Sequence, residues 1–554
     1  MEKIITAIQN EKWEEALEYF LEYTSENGLD ATLCILGATI MEHFGEWDSM
    51  FDFIKRGLEQ EIENHELYLL LGNYYSRENV NKAWLSYENA LFYAKKSGIL
   101  EDADMIEEML SAFYKDNNVD VKNIFIGVIA DIDDKYIEEC KKCIEETCYE
   151  KSYRYEIINR GQYKSYPQTL EAVMMKAGED EDIFFLSSDA LLLPNSLFNL
   201  RMALYDDDKI GACSCISNFA YYKQVPVNDK VKTPVQARTF AIKNNIPDKV
   251  TYEKKVALDT NFMLLRKEAV KKVQPPDKSI RSEGFLNIDI GMKMLQEGYY
   301  NCVCWNSYVF HYIVNEKNRK NLEFYGEDKK LIKKKWGFSP EYYMNTRFEL
   351  ASMIKPNKEQ LEILEVGAGL GSTLSRIQYM YPNANVHGIE LVESAAKVGA
   401  LIVDMKCANI ENYVFSEDEK YDYIIFGDVL EHLVDPYSLL ERLKGQLNEG
   451  GCIIASIPNI LNAPVIYELL HGNFTYQDQG VLDRTHLRFF TGKEIVKMFS
   501  ERGYVITEMI GSTYPTDSTK VHKEFWDKLL SIEGVVGREC FDVVQYIVCA
   551  RKND

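Results

Sequence analysis

The stretch that decides the fold is LEILEVGAGLG, residues 361–371, where an apolar run passes into a turn with glycine at alternate positions. The residues that follow, 372–380, have the apolar spacing of a helix. Glycine lets a backbone turn sharply and approach a ligand, and a helix N-terminus favours an anionic group. The stretch therefore predicts a strand, a ligand-binding turn and a helix in an α/β sheet.

Polar residues stand at the ends of the strands predicted downstream. The first of these strands ends in Glu390, roughly 20 residues after the turn, which is the distance expected of an acid that binds a ribose. A third unit leads to Asn409 and Ile410, and a fourth strand leads to Asp428. The predicted strands are 385–389, 421–426, 452–457, 504–510 and 543–550, of which the last two would form a reversed hairpin.

This arrangement resembles the class I S-adenosylmethionine (SAM) methyltransferases, which have a Rossmann-like α/β fold. The resemblance implies that Glu365 accepts from the amino-acid portion of SAM and that Glu390 binds both ribose hydroxyls. A dehydrogenase uses a similar turn, so NAD is the competing cofactor, but the continuation Glu-His-Leu at 431–433 favours a methyltransferase. The cofactor-binding residues so implied are Glu365, Gly367, Gly369, Gly371, Glu390, Leu391, Asn409, Ile410 and Asp428.

Residues 482–491, LDRTHLRFFT, resemble a stretch that recurs in bacterial O-methyltransferases of sugars and small molecules. An alcohol acceptor needs a base, and the resemblance implies His486 in that role, oriented by Asp483. Arg488 would bind an anionic part of the substrate, and His432 is the alternative base.

A second segment is expected to lie near the same acceptor. Residues 341–347 resemble a helix that closes over the cofactor in related bifunctional proteins. This likeness adds Tyr343, Asn345 and Arg347 as candidate substrate-binding residues.

The middle of the chain shows a second alternation of strands and helices. Residues 123–130 are a continuous apolar run, typical of a strand buried on both faces, and 153–159 form another predicted strand. The run from 182 delivers Asp189 at its carboxyl end, where α/β sheets bind ligands. Alternation of this kind predicts a parallel core.

Residues 120–335 resemble family 2 glycosyltransferases with the GT-A fold, through the segment Ser-Ser-Asp-Ala at 187–190, the helix around 285–299 and Val-Phe-His at 309–311. The resemblance implies a nucleotide sugar at Asn159 and Asp189, and a divalent Mn or Mg ion on Asp189 and His311. The usual base position holds Asn287, which leaves Asp289, or Glu283, as the base. A degenerate substrate-binding domain is the alternative.

The first 118 residues are predicted to be helical throughout, with an internal repeat. Trp13 recurs as Trp47, 34 positions on, and Leu36-Gly37 recurs as Leu71-Gly72. The block 68–75 with its following small residues resembles a tetratricopeptide repeat, which implies a surface for docking another protein; a plain helical bundle is the alternative.

Composition limits the class of protein. The chain has 554 residues and a formal charge of −24, which argues against nucleic acid or an anionic membrane as the main partner. Its apolar runs are too short to span a bilayer, and its scattered cysteines lack the spacing of a zinc site. We therefore expect a cytoplasmic, multidomain protein with reduced thiols and domains at 1–118, 119–335 and 336–554.

Together the resemblances predict a bifunctional enzyme. It would transfer a sugar from a nucleotide sugar to a glycan or glycoprotein acceptor such as flagellin, and O-methylate a sugar hydroxyl with SAM. The first alternative keeps the methyltransferase and makes the other two domains non-catalytic binding modules. A scaffold without catalysis is the second alternative, and the intact cofactor motif argues against it.

Overall fold

The computed structural model describes residues 1–131, 134–220, 231–312, 324–356, 358–513 and 523–553. The chain divides into two compact units, Met1–Lys335 and Trp336–Asp554, each with its own sheet. We describe the units separately.

The N-terminal part of the first unit is helical, as the apolar spacing predicts. Side chains of Asp30, Asn64 and Asn79 accept from backbone N–H groups in the first turn of the helices that they precede, which fixes where those helices begin. The helices are α1 Glu2–Gln9, α2 Trp13–Asn27, α3 Ala31–Phe44, α4 Trp47–Gln60, α5 His65–Tyr75, α6 Val80–Lys96 and α7 Leu100–Asp116.

Small residues of the predicted repeat lie where neighbouring helices approach closely. A Cβ atom at Gly72 in α5 would lie 2.1 Å from the ring of Tyr87 in α6. In the same way, a Cβ at Gly37 would lie 2.8 Å from the ring of Phe20. These contacts explain the glycines as packing residues, and assignment to the tetratricopeptide class stays a prediction.

The sheet of the first unit has eight strands in the order β2-β1-β3-β7-β5-β8-β4, with β6 paired to β8. Strands β2, β1 and β3 are parallel, as predicted, but β7 runs antiparallel to both β3 and β5. The strands are β1 Asn123–Ala130, β2 Tyr153–Asn159, β3 Glu181–Ser187, β4 Ala190–Leu191, β5 Ile210–Ser217, β6 Tyr252–Lys255, β7 Phe262–Leu265 and β8 Tyr300–His311. The sheet is therefore mixed, because β7 lies between two parallel groups, β2-β1-β3 and β5-β8.

Helices of the same unit connect these strands: α8 Ile137–Thr147, α9 Tyr166–Lys176, α10 Ser196–Leu204, α11 Pro234–Asn244, α12 Lys267–Lys272, α13 Glu283–Gln296 and α14 Tyr325–Trp336. One hydrophobic core runs from helix residues such as Leu71 and Tyr93 to strand residues such as Phe184 and Cys213. The helices and the sheet of the first unit therefore pack against each other through one hydrophobic core.

Polar contacts join the same two layers. Asn195, at the start of α10, accepts from the hydroxyl of Tyr93 and donates to that of Tyr68. Arg201 in α10 forms a buried ion pair with Glu88 in α6. The predicted boundary at 118 thus lies beside a core that both parts share.

The sheet of the second unit has seven strands in the order β11-β10-β9-β12-β13-β15-β14. The first five are parallel, whereas β15 is inserted antiparallel between β13 and β14, which gives the reversed final pair. The strands are β9 Glu362–Val366, β10 Asn385–Glu390, β11 Asp404–Cys407, β12 Tyr421–Gly427, β13 Leu447–Pro458, β14 Tyr504–Ser512 and β15 Gln545–Lys552. This is the Rossmann-like sheet that the sequence predicts.

Helices pack beside this sheet: α15 Pro340–Tyr343, α16 Phe348–Ala351, α17 Ser372–Met380, α18 Glu393–Gly399, α19 Pro436–Leu443, α20 Ala463–Leu470, α21 Gly492–Glu501, α22 Lys523–Leu530 and α23 Glu539–Asp542. The strand order changes direction at β9, since β10 and β11 lie on one side of it and β12 and β13 on the other. Ligands of open α/β sheets bind at such a switch point, outside the carboxyl ends of the strands. In the described part of the chain, no helix is both long and apolar enough to cross a bilayer.

Candidate functional site

The glycine turn of the second unit leaves no room for side chains. Gly367, Gly369 and Gly371 all have positive φ, between 57° and 76°. A Cβ atom at Gly369 would lie 2.4 Å from the carbonyl oxygen of Tyr343, and one at Gly367 would lie 2.6 Å from Val429. The turn therefore requires glycine for its backbone conformation and for the approach of neighbouring segments.

Glu365, on the strand before this turn, is 3% exposed. Burial raises the pKa of Glu365 to about 8, although a hydrogen bond with Thr373 and the charge of Arg347 act in the opposite direction. Its Oε2 atom is buried and has no hydrogen-bond partner among the described residues. A buried carboxyl group with an unused oxygen is suited to receive a cationic donor.

Glu390, at the carboxyl end of β10, is held by the backbone on both sides. Its Oε2 accepts from the Gly369 N–H at 2.9 Å, and its Oε1 accepts from the Val392 N–H at 2.8 Å. Burial raises the pKa of Glu390, and these backbone donors partly oppose that effect. Each oxygen keeps a second lone pair, so the carboxylate is fixed in place and can still accept from two hydroxyls.

Three further residues predicted to bind the cofactor lie beside Glu390. Leu391 follows it and is 65% exposed. Asn409 is exposed and accepts from the Glu411 N–H, whereas Ile410 is buried. The structure thus brings an exposed apolar residue and an exposed amide to one edge, and their role in binding stays a prediction.

Asp428, after β12, has a φ of 55°, which is rare for a residue other than glycine. Ser456 stabilises this backbone, since its Oγ accepts from the Asp428 N–H at 3.0 Å and donates to Oδ1 at 2.7 Å. Arg347 donates to Oδ2 of the same carboxylate and to Ser456. Strained residues held by several contacts cluster at functional sites.

The segment around α15 and α16 reaches the turn, as the predicted closing segment should. The Tyr343 carbonyl accepts from the Leu370 N–H at 2.9 Å, and Arg347 lies against Gly427 and Asp428. Tyr343 and Arg347 therefore lie beside the glycine turn and the end of β12, whereas binding of substrate by either residue, or by Asn345, stays a prediction.

A carboxylate and two imidazoles converge after Asp428. One possible ligand atom from each of Glu431, His432 and His486 lies within 4.8 Å of the other two, and the His486 Nε2 to Glu431 Oε1 distance is 3.9 Å. Both carboxylate oxygens of Glu431 are buried and receive no hydrogen bond from another described residue. Burial, with the charge of Asp428, raises the pKa of Glu431 well above its usual range.

Backbone carbonyls fix the orientation of both rings. The Nδ1 atom of His486 lies 3.0 Å from the Val481 oxygen, and the Nδ1 atom of His432 lies 3.2 Å from the Thr485 oxygen. A carbonyl can only accept, so Nδ1 carries the proton in each ring and Nε2 keeps its lone pair in the neutral imidazole.

The contacts of the 482–491 segment differ from those predicted. Val481, rather than Asp483, orients the imidazole of His486, because the Asp483 carboxylate accepts from Thr485 instead. Arg488 donates to the Val434 carbonyl at 2.6 Å, so part of its guanidinium is used within the fold. The residue types in this segment predicted which side chains come near the site but not which partners they contact within the local turns.

Tyr342 links the imidazole cluster to the cofactor-binding edge. Reduced hydration of its phenol, and the charges of Asp483, Asp428, Glu431 and Glu390, raise the pKa of Tyr342. Four carboxyl groups are therefore close enough to act by charge on one hydroxyl, and we call this set, Glu390, Asp428, Glu431 and Asp483, the acidic cluster.

The edge of the first unit carries a separate polar group. His311 Nε2 lies 3.1 Å from Asp189 Oδ1, and both residues are buried. Burial alone would lower the pKa of His311, but the hydrogen bond and charge of Asp189 outweigh it, so the pKa of His311 is raised. Asp189 also accepts from the Ser187 hydroxyl, and His311 Nδ1 lies 3.2 Å from the Phe219 carbonyl oxygen. Within the described residues, no third histidine, cysteine or acid joins the pair in a possible metal-binding group. A divalent metal at Asp189 and His311 is thus not supported by a ligand set here.

The other predicted residues of that unit have different surroundings. Asn159 ends β2 and accepts from the Gly161 N–H, and its neighbour Arg160 pairs with Glu283 at 2.9 Å. Asp289 is fully buried, with Lys293 Nζ and Lys335 Nζ at 2.9 and 2.7 Å, as in a structural ion pair. Of the two proposed bases, Glu283 is therefore the one at the sheet edge.

Asn287 occupies the usual base position of the family but lies beneath this edge. It is 1% exposed, and its Oδ1 accepts from the Thr260 hydroxyl at 2.8 Å. A nucleotide sugar at Asn159 and Asp189, and a base at Asp289 or Glu283, stay predictions.

Sequence reasoning assigned no role to Glu431, Tyr342 or Ser456. Glu431 was visible in the Glu-His-Leu continuation at 431–433, where it directly precedes a histidine. The sequence does not show that Ser456 contacts Asp428, or that Tyr342 lies near four acidic residues. Both arrangements depend on the register of separate elements.

Comparison with known proteins finds relatives of the second unit. Residues 337–509 match the family described as a methyltransferase domain. The ubiquinone biosynthesis O-methyltransferase of Thiobacillus denitrificans is 27% identical over 29% of this chain and 72% of its own length. The trans-aconitate 2-methyltransferase of Pseudomonas paraeruginosa is 30% identical over 18% of this chain, and the chain spans just over a third (36%) of that relative.

A SAM-dependent methyltransferase structure from Archaeoglobus fulgidus is 17% identical and covers 40% of this chain and 98% of its own, with a TM-score of 0.30. The family match and the relatives show that the second unit contains a SAM-dependent methyltransferase domain.

Proposed function

We propose that the second unit transfers a methyl group from SAM to a hydroxyl oxygen. The observation that carries the proposal is the placement of Glu390, at the end of β10, and Glu431, beside the two imidazoles after β12, because β10 and β12 are the two parallel strands that flank β9. A cofactor site and a group able to activate an acceptor therefore meet at the carboxyl edge of one sheet.

The residues present fit SAM. Glu390 is held by two backbone N–H groups in a position to accept from both ribose hydroxyls. The unused Oε2 of Glu365 would receive the ammonium group of the amino-acid portion, and the Gly369 N–H of the glycine turn holds the Glu390 carboxylate in place. The acidic cluster favours a sulfonium cation.

When bound, SAM supplies an electrophilic methyl carbon whose bond to sulfur breaks with the electron pair leaving on sulfur. An acceptor oxygen forms the new bond with a lone pair, and its proton must go to a nearby base. His486 suits that role because burial lowers its pKa, so the ring is neutral at physiological pH, and the Val481 carbonyl leaves Nε2 free of the ring proton.

Transfer of labelled methyl from SAM to a panel of sugars, phenols and hydroxy acids tests this proposal. We expect a labelled, base-stable ether product and a loss of rate of at least about a hundredfold in His486→Gln. His471→Gln is the matched control, since His471 is exposed and, among the described residues, its ring bonds to the Tyr467 carbonyl at the end of its own helix. SAM bound without any transfer to oxygen acceptors, or transfer only to nitrogen or carbon, would contradict it.

A second candidate function belongs to the first unit. Asp189 with His311, Asn159, and the Arg160–Glu283 pair mark the carboxyl edge of its sheet, and this placement favours a nucleotide-sugar site. With that activity the chain would be a bifunctional enzyme that glycosylates and O-methylates a glycan or a protein-linked glycan such as that of flagellin. Without it, the first unit would act as a binding module.

Hydrolysis of nucleotide sugars by the full chain, with Mn²⁺ or Mg²⁺ and without added metal, separates these alternatives. Slow hydrolysis that is lost in Asp189→Asn, but kept in the fully exposed Asp208→Asn, supports the transferase. Binding without hydrolysis favours the binding module, and neither binding nor hydrolysis across the panel would exclude the transferase.

A further inference from the structure

The Glu431, His432 and His486 cluster has more acceptor atoms than protons to share. One possible ligand atom from each of the three residues lies within 4.8 Å of the other two, and in the described part of the chain no other residue donates to Glu431. A single shared proton can satisfy only one pair of these atoms. Buried acceptors without donors are costly, so the arrangement calls for a cation.

The orientation of the two rings is that of metal ligands. Histidines that bind a metal through one nitrogen commonly donate the other ring N–H to a carbonyl or carboxylate, which fixes the tautomer. Val481 and Thr485 provide this contact for His486 and His432. The segment that carries His486 is held in turn by the Glu431 carbonyl, which accepts from the backbone of Leu487 and Arg488.

The distances suit a small divalent ion. Ligands bound at about 2.0–2.2 Å in tetrahedral geometry lie roughly 3.4 Å apart. The 3.9 Å between His486 Nε2 and Glu431 Oε1 is too long for a hydrogen bond, but closes to that value with a small side-chain rotation. His432 is only partly buried, so the cluster is open to solvent on one side.

We propose that Glu431, His432 and His486 bind a divalent cation, Zn²⁺ or a similar transition metal, which holds the methyl acceptor. Two imidazoles and one carboxylate disfavour Mg²⁺, and they leave open at least one coordination position. If the ion takes a fifth ligand, an acceptor with two adjacent hydroxyl oxygens can bind it through both of them. The proposal therefore predicts a vicinal diol as the substrate class.

This proposal rests on the methyltransferase function and refines it. His486 then acts as a ligand rather than as the base, and the acceptor hydroxyl loses its proton to solvent under the influence of the cation. The nearby carboxylates of Asp428 and Asp483 offset the added positive charge beside a sulfonium.

Metal binding to the chelator-treated full chain tests the proposal without reference to catalysis. We expect one Zn²⁺ per chain at this site, in addition to any that cysteines bind. The Co²⁺ bound there should show d–d absorption without a thiolate charge-transfer band, because the proposed ligands include no cysteine. Glu431→Gln and His486→Gln should each weaken binding by about a hundredfold or more, whereas His471→Gln should not change it. Catechol should perturb the Co²⁺ spectrum, and phenol should not.

SAM affinity, measured on the same samples, distinguishes the possible failures. If the variants bind SAM normally, they are folded, and cation binding equal to that of the parent chain would overturn the metal site. Methyl transfer that continues unchanged in excess chelator would also overturn it while leaving the methyltransferase function intact. Failure of the parent chain to bind SAM would instead refute the proposed function.

Discussion

Glu365 shows how a single side chain can be prepared for a ligand at the expense of stability. Its carboxyl group is buried beside the glycine turn with one oxygen unused, and its pKa is raised to about 8 by that burial. In the unfolded chain the same group ionises near its ordinary value of 4.5. The folded state therefore holds a proton that the unfolded state releases between these two pH values.

Stability should consequently fall as pH rises through that window. The contribution of Glu365 is fully present below about pH 4.5 and is lost as pH rises through about 8, with a slope of about 1.4 kcal/mol per pH unit in between. In Glu365→Gln this dependence disappears, so the free energy of unfolding should exceed that of the parent chain by a margin that grows from pH 5 to pH 7.

Urea unfolding measures this difference if it follows the transition that SAM shifts, which identifies the second unit. Glu417→Gln, at an exposed position, is the control and should follow the parent chain at every pH. A margin that stays constant between pH 5 and pH 7 would show that Glu365 is already ionised in the folded protein.

At the scale of elements, the glycine turn and the segment before α16 form one contact. Gly369 has positive φ, and its Cα lies so close to the Tyr343 carbonyl that a Cβ atom would approach within 2.4 Å. A side chain at this position would collide with backbone atoms and would also have to adopt a strained backbone conformation. A small shift of the neighbouring residues cannot remove both problems.

Gly369→Ala should therefore destabilise the second unit by about 1–3 kcal/mol and weaken SAM binding at least tenfold. Gly445→Ala is the matched control, because a Cβ there meets nothing within 4 Å, and it should be neutral or slightly stabilising. Thermal unfolding with and without SAM measures both effects. Equal behaviour of the two variants would mean that the turn does not contact residue 343 in solution.

The sequence predicted these elements well where local pattern determines them. The apolar run, the glycines and the acid at the end of β10 are all encoded within about 30 residues, and the structure has them in the predicted order. The antiparallel insertion of β7 was not predicted, because it depends on which strands pair and not on the composition of any one strand. The prediction that Asp483 orients His486 was wrong because the sequence does not decide between a contact three residues back and one five residues back, at Val481.

On the scale of the whole molecule, the first unit is a helical layer and a sheet with one core. The Arg201–Glu88 pair is buried within it, with the guanidinium also donating to the Lys122 carbonyl. Removing one partner of such a pair leaves an uncompensated charge inside the protein. The helices should thus unfold together with the sheet.

Glu88→Ala should destabilise the first unit by about 3–5 kcal/mol. Glu15→Ala, which removes one partner of the exposed Lys12–Glu15 pair, should cost less than about 1 kcal/mol. Denaturant unfolding of the full chain, followed by helical circular dichroism and by tyrosine fluorescence, reports both. Loss of helix signal in a separate, earlier transition would contradict a shared core.

The net charge of −24 has a local counterpart in the acidic cluster of the second unit. The cluster of Glu390, Asp428, Glu431 and Asp483 is suited to a cationic cofactor, and the charge argues against a polyanion as its ligand. The second unit contains the methyltransferase domain, while sugar transfer by the first unit remains a proposal with its own test.

The most direct test of the central claim is a calorimetric titration of the full chain with SAM. We predict one site per chain, with affinity reduced at least tenfold in Glu390→Gln because an amide cannot accept from both ribose hydroxyls as the carboxylate does. Glu393→Gln, on the next helix and paired only with Lys397 among the described residues, should bind as the parent chain does. Absence of SAM binding, or equal affinity in Glu390→Gln, would contradict the account.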